Sequence, residues 1–460
     1  MRIFIAGAGA VGTHLARLFV DSDHEVVLMD EDEEKLSQME SHLDLMTRVG
    51  CMTSLEDLKE ADVSSADLFI AVPPYPDMSM LACILAKKLG AGTTVSRVNN
   101  SEYLLPENKE YFRQLGVDEI IYPEQLGAKE ACDSLKLVGI SQLFESSDGR
   151  LVLAVIKIKG DAPLTHMPFS DIDAERKERY NIVAIYRDDT TIIPHGNDQL
   201  QDGDTCYFIT TRENLPLILA DAGKEIVTVN NVMIIGGSRI GKRIAVQLEQ
   251  NYNVKLIEIN RDKSIRLANE LEKTLVIHGD GRNLELLKLE GLSKMQAFIA
   301  VTDNSEVNIL ACQLAKKYGV IKTVAEVENM DYIPLAEDID IGTLINKKVI
   351  AASYIYRYTL HAHVAYVKCL TSTNAEMIEL VAQPSSKITR APISQLGLPK
   401  ELNIGGVIRG DKVLIASGNT QIQPYDKVVL FAMQSAIRKI EKLFVTCAKI
   451  EHLIYKFAKN

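Results

Sequence analysis

Short, fully apolar runs alternate with stretches of helical periodicity along the N-terminal part of the chain. The runs are RIFIAGAG, EVVLMD, DLFIAV and TTVSRV, with helical patterns from Val11 to Val20 and through MSMLACILAKKLG. Strands apolar on both sides of the pleat are buried on both faces, and an intervening helix returns the chain over the sheet. The pattern therefore predicts a doubly wound α/β fold around a parallel sheet. The same order returns later with VMIIGGS, VKLIEIN, TLVIHGD, AFIAVTD and KTVAEV. Other segments, such as LVLAVIKI and IVAIYRDD, alternate and are broken by Pro, Gly and Asp, which predicts small mixed α+β modules. Helical connectors are expected around Glu124 to Leu137 and around Leu344 to Leu360. A Lys-rich amphipathic pattern from Gln434 to Lys459 predicts a terminal helix that packs or faces a partner.

The chain repeats itself. FIAVPPYPDMSMLACILAKKLG (Phe69 to Gly90) lies over FIAVTDNSEVNILACQLAKKYG (Phe298 to Gly319), and the same offset relates Gly7 to Gly236, Gly12 to Gly241, Gly50 to Gly279 and Tyr103 to Tyr332. At a second offset, NIVAIYRDDTTIIPHGNDQLQDGD from Asn181 lies over NIGGVIRGDKVLIASGNTQIQPYD from Asn403. The expected fold is thus a tandem duplication of a Rossmann-like doubly wound parallel-sheet domain plus a small α+β C-lobe. The boundaries expected are 1–122 for the first N-lobe, 123–139 for a connector and 140–227 for the first C-lobe. The second copy is expected to occupy 228–345, 346–366 and 367–460, the last with the terminal helix.

Composition narrows the function. In 460 residues, 47% apolar and 25% charged content excludes disorder, and at roughly 150 residues per domain the length suggests three or four units. A net charge of −11 opposes attraction to nucleic acid or to an anionic lipid surface. Seven scattered cysteines without a CxxC pair fit a reducing cytosol. No stretch approaches the ~20 apolar residues that cross a bilayer, and Met1 leads straight into a strand pattern without a signal-peptide layout, so no membrane insertion is expected.

The strongest chemical signal is Gly7-Ala8-Gly9-Ala10-Val11-Gly12, after the strand RIFIA and at the opening of a helix. The first glycine permits the turn, the second lets a pyrophosphate approach bare backbone, and the third lets helix and strand pack closely. Asp30 ends the next apolar run, where a carboxylate accepts from a ribose 2′-hydroxyl and repels a 2′-phosphate, favouring NAD(H) or an adenine nucleotide over NADP. The second copy reads Gly236-Gly237-Ser238-Arg239-Ile240-Gly241, with Glu258 ending VKLI. Ser238 replaces the middle glycine in space that a closely bound pyrophosphate would use. Gly279-Asp280 and Thr302-Asp303 follow the third and fourth strands of this copy, where open α/β sheets hold ligands; the first copy has Gly50-Cys51 and Pro73-Pro74 there. Arg97, in VSRV at the end of the fifth strand, points to the first crevice as a partner for a phosphate, for a helix across an interface or for a solvated acid; its counterpart is Glu326. Arg239 is either a phosphate clamp or an exposed helix residue. Cys83 and Cys312 recur within apolar helical patterns and read as core.

Catalysis has little support. A hydride-transfer enzyme with duplicated Rossmann domains, the competing reading, needs an acid or base beside the nicotinamide, such as His or Tyr with a nearby Lys. Tyr455 to Lys459 has such spacing but lies at the extreme tail, and His361 and His363 show no third metal ligand.

In IFIAGAGAVGTHLA, SRVNNSEY, VIHGD, AFIAVTDNSEVNILA and NIVAIYRDD, in this order, the chain resembles the family of regulator-of-potassium-conductance (RCK) domains over essentially its whole length. The resemblance implies two Rossmann-like N-lobes that bind NAD(H) or ATP/ADP, two C-lobes, and a non-enzymatic cytosolic regulator. It also implies a homo-tetramer forming a ring beneath a membrane potassium-translocating subunit of the TrkH/TrkG type, at the inner face of the membrane. Carried over by position, the first site comprises Gly7 to Gly12, Asp30 and Arg97. The second comprises Gly236 to Gly241, Glu258, Gly279, Asp280, Thr302 and Asp303. Cys51, Pro73, Pro74, Ser238 and Glu326 depart from the family's usual residues and bear on which nucleotide each site prefers.

Overall fold

The computed structural model describes residues 1–22, 24–73, 75–136, 138–146, 148–165, 167–188, 190–224, 228–339, 341–359, 364–370 and 375–444. Two compact units result, one of Met1–Gly127 with Lys347–Thr359, the other of Ala128–Asn346 with Leu360–Asn460.

The first unit holds six strands: β1 (Arg2–Ala6), β2 (Glu25–Asp30), β3 (Met46–Val49), β4 (Leu68–Ala71), β5 (Thr93–Arg97) and β6 (Glu119–Ile121). All pair in parallel, in the order β3-β2-β1-β4-β5-β6. Helices α1 (Ala10–Asp21), α2 (Glu33–Glu40), α3 (Leu55–Glu60), α4 (Pro76–Leu89) and α5 (Pro106–Leu115) link them. Ile3, Phe4 and Ile5 alternate across the sheet yet are all buried, as are Leu68, Phe69 and Ile70 on β4, so helices cover both faces. The strand order reverses between β1 and β4, which opens a crevice at their carboxyl ends.

Helix α6 (Pro123–Ser134) leads out of this lobe. The second unit begins with β7 (Gln142–Glu145), β8 (Val152–Lys157), α7 (Ala174–Arg179), β9 (Tyr180–Arg187), β10 (Thr190–Ile192), β11 (Thr205–Thr210) and α8 (Leu215–Asp221). These strands form an antiparallel sheet ordered β10-β9-β11-β8-β7.

A second parallel sheet follows, with β12 (Asn231–Ile235), β13 (Asn253–Glu258), β14 (Leu275–His278), β15 (Ala297–Ala300), β16 (Lys322–Glu326) and β17 (Thr343–Ile345). Its order, β14-β13-β12-β15-β16-β17, repeats the first. Its helices are α9 (Arg239–Leu248), α10 (Arg261–Glu270), α11 (Leu284–Leu289), α12 (Ser305–Lys317) and α13 (Tyr332–Asp338). After α14 (Lys347–Tyr356) come β18 (Val364–Cys369), β19 (Ala375–Val381), β20 (Leu402–Arg409), β21 (Lys412–Ile415), β22 (Lys427–Met433) and α15 (Ile437–Phe444), with sheet order β18-β19-β22-β20-β21.

Period-two alternation gives each antiparallel sheet two buried faces. In the first, Val152, Ala154, Ile156 and Phe208 pack with Leu215, Ile218 and Leu219 of α8. The opposite face, with Leu151, Leu153, Tyr207 and Ile209, packs on Met377, Val429 and Phe431 of the second sheet. The Asn181 side-chain amide donates to the Ile404 carbonyl (3.0 Å), and Asn403, its repeat partner, donates to the Ile182 carbonyl (3.5 Å). A Cβ on Gly405 would overlap the Ile209 side chain, and one on Gly406 would press on Leu151, so two small residues let the sheets meet. Each sheet carries a two-pronged ion pair that ties the end of one strand to the turn entering the strand it pairs with: Arg187 on β9 to buried Asp204 before β11, and Arg409 on β20 to buried Asp426 before β22.

Two expectations change, and a third lies partly outside the described residues. Each parallel sheet has a sixth strand, β6 and β17, whose three residues are too few to show periodicity. Leu344 lies in β17, so the second connector starts at Lys347 rather than before it. Gln434–Ala436 form a 3-10 turn, the terminal helix runs from Ile437 to Phe444, and the rest of that pattern, from 445 on, lies outside the described residues. Cys83 and Cys312 are fully buried in α4 and α12, where burial pushes both thiols up.

Within the first unit α14 packs along α1. Tyr356 stacks on Phe19 with ring centroids 6.1 Å apart, and its hydroxyl meets the Ser22 hydroxyl at 3.3 Å. Burial, then Lys348 and Arg17, push the His14 imidazole on α1 down to about 4. The unfolded chain thus binds this proton from pH 6.5 downward while the folded chain resists it. Stability is full above 6.5 and falls as pH drops toward 4. Chemical denaturation of the wild type between pH 7.5 and 5 should show the decline, and His14→Gln should flatten it; equal slopes would remove His14 as its source.

Candidate functional site

The crevice is built around the turn from β1 into α1. Gly7 takes φ +112°, open to glycine, and its amide donates to the Met29 carbonyl at 2.8 Å. Its carbonyl oxygen lies where a Cβ on Gly12 would fall, so this methyl-free contact lets α1 sit on the strand. A Cβ on Gly9 would meet nothing within 4 Å. Gly9 is the N-cap residue of α1, and no side chain caps the helix. Ala10, Val11 and Gly12 therefore open the helix with amides aimed at the crevice, which favours an anion. Ala8 and Val11 are buried beneath them.

Asp30, at the end of β2, holds this turn. One carboxylate oxygen accepts the Ala8 amide (2.6 Å) and the other the Asp32 amide (3.0 Å), with the Lys35 ammonium 4.0 Å away. Its side chain remains 18% exposed, which leaves lone pairs facing the crevice.

Around the rim, the Cys51 amide donates to Asp57 (2.7 Å) and its thiol lies 3.2 Å from the Thr53 hydroxyl. Pro73 follows β4 beside Gly7; Pro74 lies outside the described residues. The Arg97 guanidinium meets Glu124, in the first turn of α6, at 3.4 Å. Glu124 is buried, and its second carboxylate oxygen has no hydrogen-bond partner. The partner of Arg97 here is thus an acid on the chain's own connector helix, not a helix across an interface.

The second turn repeats the plan. Gly236 takes φ +96°, and a Cβ on Gly241 would overlap the Gly236 carbonyl. Glu258 ends β13 and accepts the Gly237 amide (2.8 Å) and the Asn260 amide (2.8 Å). Ser238, however, accepts the Gly241 amide at 3.3 Å and donates to the Val301 carbonyl at 2.8 Å. Arg239 is exposed and Ile240 buried, at the first helical positions of α9. The Gly279 amide bonds the Glu258 carbonyl (2.9 Å). Asp280 is gripped by Arg282 (2.8 Å), which lowers its pKa. The Thr302 amide and hydroxyl both donate to Asn308 (3.0 and 2.7 Å), Asp303 is exposed, and Glu326 is buried at the end of β16.

Two positions escaped the sequence reading. Ser79 and Asn308, equivalent in the repeat, tie neighbouring strand ends together: the Ser79 hydroxyl donates to the Ala71 carbonyl and accepts the Arg97 amide, and Asn308 donates to the Thr302 and Glu326 carbonyls. A polar residue recurring at one place in two apolar helices was the available signal. A second YxxxK spacing, Tyr318 to Lys322, also went unread. Lys322 starts β16, at the end of the sheet away from the crevice, and donates to the Ile140 carbonyl (2.6 Å). His361, His363, Tyr455 and Lys459 lie outside the described residues. Among the described residues, no helix is long and apolar enough to cross a membrane.

Comparison with known proteins follows the same division. The TrkA-N domain family model matches residues 3–123 and 232–347, and the TrkA-C domain model residues 153–222 and 377–445. The chain belongs to the TrkA family. Its relatives include the Trk system potassium uptake protein TrkA of Halomonas elongata, 29% identical over 96% of this chain and 98% of that protein. Another is the protein of the same name from Vibrio alginolyticus, 30% identical with the same coverage. Among solved structures, the GsuK RCK domain aligns over 96% of this chain and 94% of its own, with TM-score 0.60 and 14% identity. The GsuK channel bound to NAD aligns with TM-score 0.59 and 15% identity (96% and 78% covered), and GsuK bound to ADP with 0.50 and 13% (78% and 69%). At these identities the likeness concerns the fold of TrkA-family lobes.

Gly12 and Gly9 of the first turn should respond very differently to a methyl group. Gly12→Ala is expected to destabilise the first unit by about 3 kcal/mol, because backbone must move. Gly9→Ala should cost under about 1 kcal/mol. Denaturation curves of both variants test this; equal losses would contradict the packing described.

Proposed function

We propose that this chain is a nucleotide-sensing regulatory subunit of a Trk potassium-uptake system, binding NAD(H), or ATP/ADP, and acting on a separate membrane pore subunit of the TrkH/TrkG type. The observation that carries this is the uncapped start of α1 beside Asp30: open helix amides for a diphosphate, and a carboxylate one strand away for ribose hydroxyls. The relatives' names supply the transport system, and the GsuK structures with NAD and with ADP are two cases of such lobes in nucleotide-bound proteins. In this reading residues 1–122 and 228–345 are the N-lobes and 140–227 and 367–460 the C-lobes.

The site suits a sensor. A phosphate reaching Arg97 competes with Glu124 for the guanidinium, and Glu124 begins the helix through which the chain leaves the lobe. Occupancy is thereby felt at the connector, and the population shift is limited to the ligand's differential affinity for the two states. The names of the relatives, potassium uptake proteins, support a regulatory rather than an enzymatic role. The chain acts in the cytoplasm, held to the inner face of the membrane by its partner. In this reading the chain assembles into a homo-tetrameric ring, and Leu81 on α4 and Leu310 on α12, repeat-equivalent leucines that are 46% and 69% exposed, are the residues assigned to its contact.

Calorimetric titration of the full chain with NADH, NAD, ADP and ATP tests the binding. Asp30→Ala should weaken NADH at least about tenfold, the worth of a hydrogen bond to a charged group. Heat from none of the four nucleotides in the wild type overturns the proposal. Leu310→Asp should shift the sedimentation profile to lighter species; an unchanged profile would remove this face from the ring contact.

A further inference from the structure

The two turns share glycine geometry and a carboxylate clamp, yet their ligand-facing groups are spent differently. At Gly9 the first lobe leaves a gap and uncapped amides. At the same place in the second lobe the Ser238 hydroxyl is bonded on both sides, accepting the Gly241 amide and donating to the Val301 carbonyl. We infer that Ser238 is the residue that closes the second crevice to a dinucleotide or nucleoside diphosphate, so that each chain takes one nucleotide, in its first lobe.

Three further differences point the same way. Glu258 is held by two amides, of Gly237 and Asn260, just as Asp30 is by those of Ala8 and Asp32, but its lysine is nearer, Lys263 at 3.3 Å against Lys35 at 4.0 Å from Asp30. The Glu258 side chain is only 5% exposed, against 18% for Asp30. A carboxylate so covered has little to offer a ribose. Leu267 is packed down on Gly237 so closely that a methyl group there would overlap it, which roofs the turn. Where the first lobe ends its fifth strand with Arg97, the second has buried Glu326, and a carboxylate repels phosphate. Against these stands Arg239, a cation at the mouth of α9, but it is exposed and therefore screened. Arg282 is already committed to Asp280. An incoming diphosphate would have to displace the serine's two hydrogen bonds and would meet Glu326 where the first lobe offers Arg97. One of the amides at the start of α9, that of Gly241, is satisfied from within.

This inference rests on the first lobe being a nucleotide site, and the test separates the two. The full chain is titrated with NADH and, separately, with ADP, and the stoichiometry is read. One mole per mole of chain is expected. None overturns the proposed function; two overturns this inference alone. Gly9→Ser, which installs the same hydroxyl in the first lobe, should weaken binding at least tenfold, and its melting curve reports whether the lobe still folds. Ser238→Gly combined with Glu326→Gln should raise the stoichiometry from one to two. A Gly9→Ser variant that folds and binds like the wild type, or a folded double variant still binding one, overturns the role given to Ser238.

Discussion

Both parallel lobes depend on one contact, a carboxylate at the end of the second strand accepting an amide from the turn after the first. Asp30 takes the Ala8 amide and Glu258 the Gly237 amide. The turn must lift its amides away from the sheet, and without an acceptor those donors would face the crevice unsupported. The same carboxylates reach forward to Asp32 and Asn260, the N-cap residues of the next helices. One side chain thus fixes the phosphate-side turn, the ribose position and the start of the following helix. Any ligand in the first crevice meets a group already carrying structural load, so binding and local order are linked.

Much of this was legible in the residues. The glycine spacing, the acid at the strand end and the long internal match gave the fold, the duplication and the crevice, because each rests on a local rule: positive φ, close backbone approach, period-two or 3.6 burial. What stayed hidden depends on tertiary contacts. That Glu124 partners Arg97 follows from the placing of β5 against β6, and a proline-acid pair at a helix start reads only as a favourable first turn. That Ser238 turns inward to the Val301 carbonyl depends on a strand far away in sequence. The three-residue strands β6 and β17 carry too few positions to declare a period.

The copies have diverged by exchanging which element satisfies a polar group. Ser79 reaches the Ala71 carbonyl where Asn308 reaches the Thr302 and Glu326 carbonyls, so a longer side chain replaces a shorter one on the same errand. The ion pairs Arg187 with Asp204 and Arg409 with Asp426, by contrast, are kept in full, each aspartate also accepting a turn amide, from Gln201 and Gln423. A buried acid paired on this scale tolerates little change, because removing either partner strands the other.

The packing of the two antiparallel sheets has a consequence for how such a chain evolves. Asn181 and Asn403 bond reciprocally, as matching residues do across a two-fold axis between identical subunits. Yet the glycines are one-sided: Gly405 and Gly406 face Ile209 and Leu151, while their counterparts are Val183 and Ala184. In a pair of identical polypeptides, trimming one surface trims both and leaves two holes. Fusion into a single polypeptide frees each half to be bulky where the other is slim, and so permits a lock-and-key seam that no self-association could encode.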